Sequence, residues 1–394
     1  MSNHILVINC GSSSVKFSLV DPEAGNHLLS GQVERIGTGS GFMRWKGAVA
    51  GEETLGPIHH RQAMDAIVRV LRHSGLSFGG IGHRVVHGGE HFTASCRITP
   101  ESLEALRAHQ HLAPLHNPVN LLGIEAAQAA FPDAPQVMVF DTAFHQTLPR
   151  RAYLYAIPHH LYTEHGIRRY GFHGTSHRYV AARAAEQLGR PLESLALLSA
   201  HLGNGCSAAA ILGGQSMDTT MGLTPLEGLV MGTRSGDVDP SLHEHLCNTL
   251  NLSLKEISSL LNKQSGLLGL SGGHSNDMRT LLRAEAKGHE GAALAVEVFC
   301  YRLAKALAAQ MVALGRLDAL LFTGGIGENS TPVRARTLAL LPFLGLQLDP
   351  AANEDHGRAN RGIITTTDSP CAMVVQTDEE LLIARDTAHI LFND

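Results

Sequence analysis

The chain opens with an apolar run from Ile5 to Ile8, then a small polar turn, then an alternating run that ends at Val20. A continuous apolar run fits a buried strand, and period-two alternation fits a strand with one buried face. The turn Asn9–Ser14 between them makes the pair a β-hairpin. The same plan recurs halfway along the chain over Leu195–Leu212, with His201, Leu202, Gly203, Asn204 and Gly205 at the turn. Turns built from small residues suit phosphate, because no bulky side chain keeps the anion from the backbone N–H groups. Two of them predict a duplicated domain that holds a nucleotide between its halves.

Further strands are expected at 4–37, Ile81–Val86, Val137–Phe140, Ala319–Thr323 and Ala372–Val375. Helical spacing covers Gln62–Leu71, Asn117 to about Ala130, and Gly291–Leu314. Asn117 is expected to cap its helix, with Pro118 in the first turn. Thr175 or Ser176 is expected to cap another helix that runs to about Leu188, and Asp378 a last one. The segment Thr220–Pro240 is irregular and Gly-rich, too long for a plain connector, and reads as functional. Strands alternating with helices define an α/β fold.

Composition narrows the function. The 394 residues suffice for two domains or three, each able to bury a core. A net charge of −5 argues against a nucleic-acid protein. No apolar stretch reaches bilayer length, and Met1 leads directly into a strand pattern with no signal peptide. The six cysteines form no Cys-x-x-Cys pair and read as reduced thiols in the cytoplasm. The 24 histidines include the adjacent pairs His59–His60 and His159–His160 but no zinc-type pattern, so they read as surface or core histidines.

The chain has neither a P-loop nor a Gly-x-Gly-x-x-Gly after its first strand. Its chemistry lies in strand-end loops. Ser12, Ser14 and Lys16 offer hydroxyls and a cation to phosphate. Arg84 sits inside an apolar strand, where a cation must meet an anion, either a protein carboxylate or, as the favoured reading, a substrate. Asp141 ends a strand, where a carboxylate acts as a base, holds a metal-bound water, or caps a turn. His173 lies between glycines at a helix start, a location that favours anions. His177, inside the helix, reads as a structural hydrogen-bonding residue. Arg234, flanked by Gly232, Thr233, Ser235 and Gly236, resembles an arginine finger. Thr323–Asn329 ends a strand in glycines that let a flat ring or a phosphate lie against the backbone. Together these loops describe phosphoryl transfer, which needs positioning and charge neutralisation more than covalent help.

Several of these runs carry a family resemblance. Asn9–Lys16, Gly82–Gly89, Leu112–Pro118, Phe140–His145, Gly171–His177, His201–Gly205, Met231–Pro240 and Phe322–Asn329 resemble the acetate kinases, in family order and over essentially the whole chain. That family belongs to the acetate and sugar kinase, Hsp70 and actin superfamily. The resemblance implies two duplicated actin-like, ribonuclease H-like domains with an interdomain active-site cleft. The first would span 1–141 plus about 376–394; the second, 142–375, would carry most of the ATP site and the dimer interface. It further implies reversible transfer between ATP and acetate giving ADP and acetyl phosphate, with Mg²⁺, or Mn²⁺ in its place, in a cytoplasmic homodimer. Asn9 and Glu379 would hold the metal, and Ser12, Ser14 and Lys16 would lie by the phosphates. Arg84 would bind the acetate carboxylate, and Val86, Leu115, Phe172 and Pro225 would surround its methyl group. Asp141, His173 and Arg234 would be catalytic. His201–Gly205, Asp277, Met278, Arg279 and Gly325, Ile326, Gly327, Glu328 and Asn329 would form the ATP site. One departure stands at 376–381, Gln-Thr-Asp-Glu-Glu-Leu, where the family usually has Pro-Thr-Asn-Glu-Glu-Leu; Glu379 is expected to keep its place. Val86 narrows the pocket toward acetate, with propionate kinase as the alternative. An actin-like or Hsp70-like ATPase would need a partner-binding module, and a degenerate regulator would have lost Arg84, Asp141 or Arg234.

Overall fold

The computed structural model describes residues 3–114 and 116–393. The chain forms two compact units, Met1–Gln146 with Asp378–Asp394, and Thr147–Thr377. The first unit holds eight strands: β1 (Ile5–Cys10), β2 (Ser14–Asp21), β3 (Asn26–Glu34), β4 (Gly41–Gly47), β5 (Gly51–Gly56), β6 (Gly80–Val85), β7 (Cys96–Arg97) and β8 (Gln136–Phe140). They form one sheet in the order β5-β4-β3-β2-β1-β6-β8-β7. The second unit holds β9 (Ala196–Leu202), β10 (Cys206–Leu212), β11 (Gln215–Thr219), β12 (Ala319–Thr323) and β13 (Cys371–Val374), in the order β11-β10-β9-β12-β13.

The second sheet repeats the middle of the first. In each, an antiparallel hairpin meets a third antiparallel strand on one side and two parallel strands on the other: β3-β2-β1-β6-β8 and β11-β10-β9-β12-β13. The two hairpins read from the sequence, β1–β2 and β9–β10, open the two copies of one plan. Parallel strands need crossovers and both faces covered. That accounts for the continuous apolar runs Ile5–Ile8, Val137–Phe140 and Ala319–Phe322, all buried.

Strand alternation sends neighbouring residues of β6 to opposite faces. Ile81 joins the core formed with helix His60–Ser74. Gly80 and Gly82 face the C-terminal helix Glu379–Phe392, and a Cβ on Gly82 would stand 2.4 Å from Thr387 Oγ1. Glycine lets that helix lie on the strand, so the last segment of the chain completes the first unit. Its N-cap is Asp378, whose carboxylate accepts from the Leu381 N–H at 2.9 Å.

Two expected caps fall differently. Asn117 is the first residue of helix Asn117–Ala130 rather than its cap, which is His116. The Asn117 amide is instead fully buried and exchanges two hydrogen bonds with the His87 backbone, at 3.2 and 2.8 Å. Neither Thr175 nor Ser176 caps the next helix, which starts at Gly174 with His173 as N-cap, held at φ 56°. The expected glycine loop after β12 is also different: Gly324–Asn329 coils into a short helix. No helix among the described residues is long and apolar enough to cross a membrane.

Candidate active site

In the first unit, neighbouring parallel strands β1, β6 and β8 bring their carboxyl ends together, the usual location of ligand groups in α/β sheets. Asn9 lies near the end of β1, Arg84 near the end of β6, and Asp141 directly after β8. Arg84 makes a two-pronged bond to Asp141, Nη2 to Oδ2 at 2.6 Å and Nε to Oδ1 at 3.0 Å. Its Nη1 lies 3.5 Å from Asn9 Oδ1 and its Nε 3.9 Å from Glu379 Oε2. Asp141 is 1% exposed, so this fork–fork pair is largely desolvated, and both groups stay charged only together. Burial works against the Arg84 charge, but the Asp141 and Glu379 carboxylates outweigh it and raise its pKa above the ordinary value. Of the two anions expected for this strand-interior cation, the structure shows the protein carboxylate, Asp141.

Behind this cluster, the Val86 N–H donates to Asn120 Oδ1 at 3.0 Å, and Asn120 Nδ2 donates to the Cys10 carbonyl at 2.8 Å. Asn120 thus ties the end of β6 to the first hairpin. In that hairpin the Gly11 N–H is taken by the Ser14 carbonyl at 2.8 Å, and the Gly11 carbonyl lies 2.9 Å from His60 Nε2. Ser12 and Lys16 are exposed. Leu115 lies outside the described residues.

The second unit gathers three histidines. His173 Nδ1 lies 2.9 Å from Ser207 Oγ, and its ring centroid 4.3 Å from that of His201. His177 is fully buried, with Nε2 2.8 Å from the same Ser207 Oγ and Nδ1 2.9 Å from Ser199 Oγ. His201 Nδ1 is 2.8 Å from Ser176 Oγ. His177 therefore orients Ser207, which orients His173. Gly205 sits under this group: a Cβ there would lie 3.4 Å from both the His173 ring and Arg234 Nη1. Arg234 donates to the Pro225 carbonyl at 3.2 Å and lies 3.6 Å from Met231 Sδ. Among the described residues it has no carboxylate within ion-pair distance. Burial lowers its pKa. A desolvated guanidinium bonded only to neutral acceptors attracts any anion within reach. Beside it, burial pushes the Cys206 thiol up to about 12, so that sulfur is no nucleophile at neutral pH. Phe172 is buried next to His173 in the chain.

A groove of about 800 Å³ lies within the second unit, a volume suited to a nucleotide-sized ligand. Its wall joins three segments of the sequence reading. Gly203 and Asn204 come from the β9–β10 turn, Asp277, Met278 and Arg279 from the start of helix Met278–Glu285, and Gly325, Ile326 and Asn329 from helix Gly324–Asn329. Asp277 caps its helix, accepting from the Arg279 and Thr280 N–H groups at 2.9 and 3.2 Å, and the Arg279 guanidinium holds its carboxyl below the ordinary range. Leu202 is fully buried in β9. Glu328 turns away from the groove: its Oε1 accepts from the Gly324 and Thr377 N–H groups at 3.0 and 3.1 Å. Gly327 is buried behind the same wall, and its carbonyl accepts from Arg334 Nη1 at 2.8 Å.

Sequence reasoning missed four groove residues, Asn276, Leu282, Ser330 and Pro332. Leu282 stands four residues after Met278 and so on the same helix face, a signal that was available. It also missed Arg169, whose Nη1 donates to three successive carbonyls, Thr219, Thr220 and Met221, at 2.9 to 3.1 Å. Arg169 Nη2 meets Glu227 Oε1 at 2.5 Å, and Glu227 also accepts from the Tyr155 hydroxyl. This cluster fixes the segment that carries Pro225, the partner of Arg234. Its contacts span 50 to 72 residues and leave no local pattern.

Solved structures similar to this chain over nearly its whole length include a propionate kinase and an acetate kinase. A propionate kinase from Francisella tularensis superposes with a TM-score of 0.93 at 45% identity, covering 98% of this chain and 99% of that one. An acetate kinase from Porphyromonas gingivalis superposes at 0.92 and 42% identity, covering 99% and 100%. Proteins named acetate kinase from Ectopseudomonas mendocina and Deinococcus radiodurans are each 56% identical, over 99% and 98% of both chains respectively. The acetokinase family model matches residues 4–385, and the chain belongs to that family.

Proposed function

We propose that the protein transfers the terminal phosphoryl group of ATP to acetate, reversibly and in line, giving acetyl phosphate and ADP. The observation that carries the proposal is Arg234, a half-buried guanidinium with neutral partners only, beside His173 and Gly205. A phosphoryl group in flight spreads negative charge over its equatorial oxygens, and such an arginine and imidazole meet it. The raised Cys206 thiol fits direct transfer. In this reading ATP occupies the groove lined by Asn204, Asp277–Arg279 and Gly325–Asn329. Ser12, Ser14 and Lys16 contact its phosphates. Arg84 receives the acetate carboxylate, with Asp141 holding the guanidinium in position, and Val86, Leu115, Phe172 and Pro225 enclose the methyl group.

Asn9, Asp141 and Glu379 offer hard oxygen donors around Arg84, the donor type that suits Mg²⁺ bound through one or two protein groups and substrate phosphates. Asn9 and Glu379 would hold it, and when bound it neutralises phosphate charge; Mn²⁺ would substitute. Leu294, Tyr301 and Val312, exposed on helix Glu290–Leu314, support a homodimer through this unit. Free thiols at all six cysteines fit a cytoplasmic location.

Trapping the acyl phosphate with hydroxylamine, over a panel of carboxylates, tests the reaction. Acetate is expected to give the highest kcat/KM, and one added methylene is expected to cost about 10- to 200-fold. The likeness to the Francisella propionate kinase keeps propionate as the second reading. A higher kcat/KM for propionate would favour it, and Val86→Ala should move the ratio that way.

A further inference from the structure

Behind the groove wall lies a second cavity of about 460 Å³, and no part of the proposed reaction uses it. One side is a single helix face, Tyr179, Arg183 and Gln187, spaced four apart. The opposite side is the turn 356–362, which contributes His356, Arg358, Arg361 and Gly362. That turn is wound unusually tightly: His356, Gly357, Arg361 and Gly362 all adopt left-handed conformations, at φ 56°, 69°, 51° and 89°. A side chain cannot replace either glycine. A Cβ on Gly357 would stand 2.3 Å from Gly362, and one on Gly362 2.5 Å from the Val374 carbonyl. Left-handed arginine and histidine are costly conformations that tend to persist where function holds them.

The charge inventory of the cavity is one-sided. Arg358 and Arg361 are exposed, with no carboxylate within ion-pair distance among the described residues. Arg183 is paired to Glu186 along its own helix. His356 Nδ1 accepts from Arg334 Nη2 at 3.0 Å, and burial with the neighbouring Arg334 and Arg358 lowers its pKa. The one acidic lining side chain is Glu328, whose Oε1 already takes two backbone N–H groups. Gln187 Oε1 is buried and lacks a hydrogen-bond partner.

We infer that this cavity is a second binding site, for a compact multivalent oxyanion bearing phosphate or carboxylate groups, with Arg358 and Arg361 as its principal ligands. The site adjoins the groove. Asn329 lines both cavities. Arg334 bonds His356 on one side and, on the other, the Gly327 and Glu328 carbonyls, at 2.8 and 3.0 Å, within the helix that lines the groove. Asn329 and Arg334 thus connect the second site to the groove, a relation to the nucleotide that rests on the groove being its site.

The probe is pyrophosphate, titrated calorimetrically without divalent metal and against matched ionic strength in NaCl, with ADP saturating the groove. Saturable binding to the unaltered protein is expected. The double variant Arg358→Gln/Arg361→Gln should weaken it about tenfold or more, while Arg361→Lys retains most of it. Both positions are exposed, and an unchanged thermal midpoint of the double variant without ligand verifies that it folds. Equal binding by the unaltered protein and the double variant, or no binding beyond the NaCl control, overturns the site. If ADP itself does not bind, the nucleotide reading fails, and the same variant comparison without ADP still decides this one.

Discussion

Arg234 is half-buried and His83 buried, and their surroundings give them opposite tasks. Arg234 has neutral partners and is charged, so its charge is available for one that develops beside it. Arg234→Ala should lower kcat about a thousandfold or more while the ADP dissociation constant stays within severalfold. Steady-state rates with parallel ADP titrations check this, and an unchanged kcat would remove Arg234 from the mechanism. His83 is 2% exposed, and its Nε2 lies 2.7 Å from Gln136 Oε1. Burial lowers its pKa to about 4 from 6.5, so it is neutral in the folded protein. Between those values the unfolded chain binds the proton and the folded chain does not. Stability is therefore lost as pH falls from 6.5 toward 4, by about 3 kcal/mol at most. His83→Gln keeps an amide partner for Gln136 and should flatten that acid limb; urea midpoints from pH 7 to pH 4 would measure it.

At the scale of elements, legibility followed locality. The buried parallel strands were readable because burial on both faces writes an unbroken apolar run. β5, at the sheet edge, has polar residues on both faces, and β4 offers only the short alternation of Met43 and Trp45 with Arg44 and Lys46, so neither carries such a run and neither was read. Asp378 caps its helix as expected, but two other cap assignments failed, for a different reason. Asn117 is chemically a good cap, but the His87 backbone, 30 residues away, recruits its amide. His173 takes the cap position in a left-handed conformation that residue type alone does not announce. The site residues stood out where a costly residue type sat in an unlikely setting, as with Arg84 in an apolar strand. Arg169 was silent because its value lies in three carbonyls about 50 residues away. It predicts a specific defect. Arg169→Lys keeps the charge but loses the planar fork, freeing the segment before Pro225. kcat/KM for acetate should fall about tenfold to a hundredfold, while the KM for ATP, set by the groove, changes little. Equal losses for both substrates would mean the cluster supports the whole unit rather than this segment.

For the whole molecule, duplication explains why two hairpins look alike but not why they differ in use. The two five-stranded plans are equivalent in topology. Yet the first unit ends its parallel strands in an ion pair ringed by oxygen donors, and the second ends its own beside a groove and an unpaired arginine. In one scaffold, the residues at the strand ends set the division of labour. That division is measurable by hydrogen exchange. A nucleotide stabilises the state that binds it, by about 2.7 kcal/mol at a hundredfold excess over its dissociation constant. The groove is lined entirely by residues of Thr147–Thr377. ADP alone, without acetate or metal, should therefore slow exchange first at 203–205, 276–282 and 325–330, and through Arg334 at 353–356. The strand ends at Asn9, Arg84 and Asp141 should respond chiefly when acetate and the metal are added. If ADP alone protected the first unit's strand ends and left 276–282 unchanged, the nucleotide would belong to the other copy of the plan, and the roles assigned to the two hairpins would have to be exchanged.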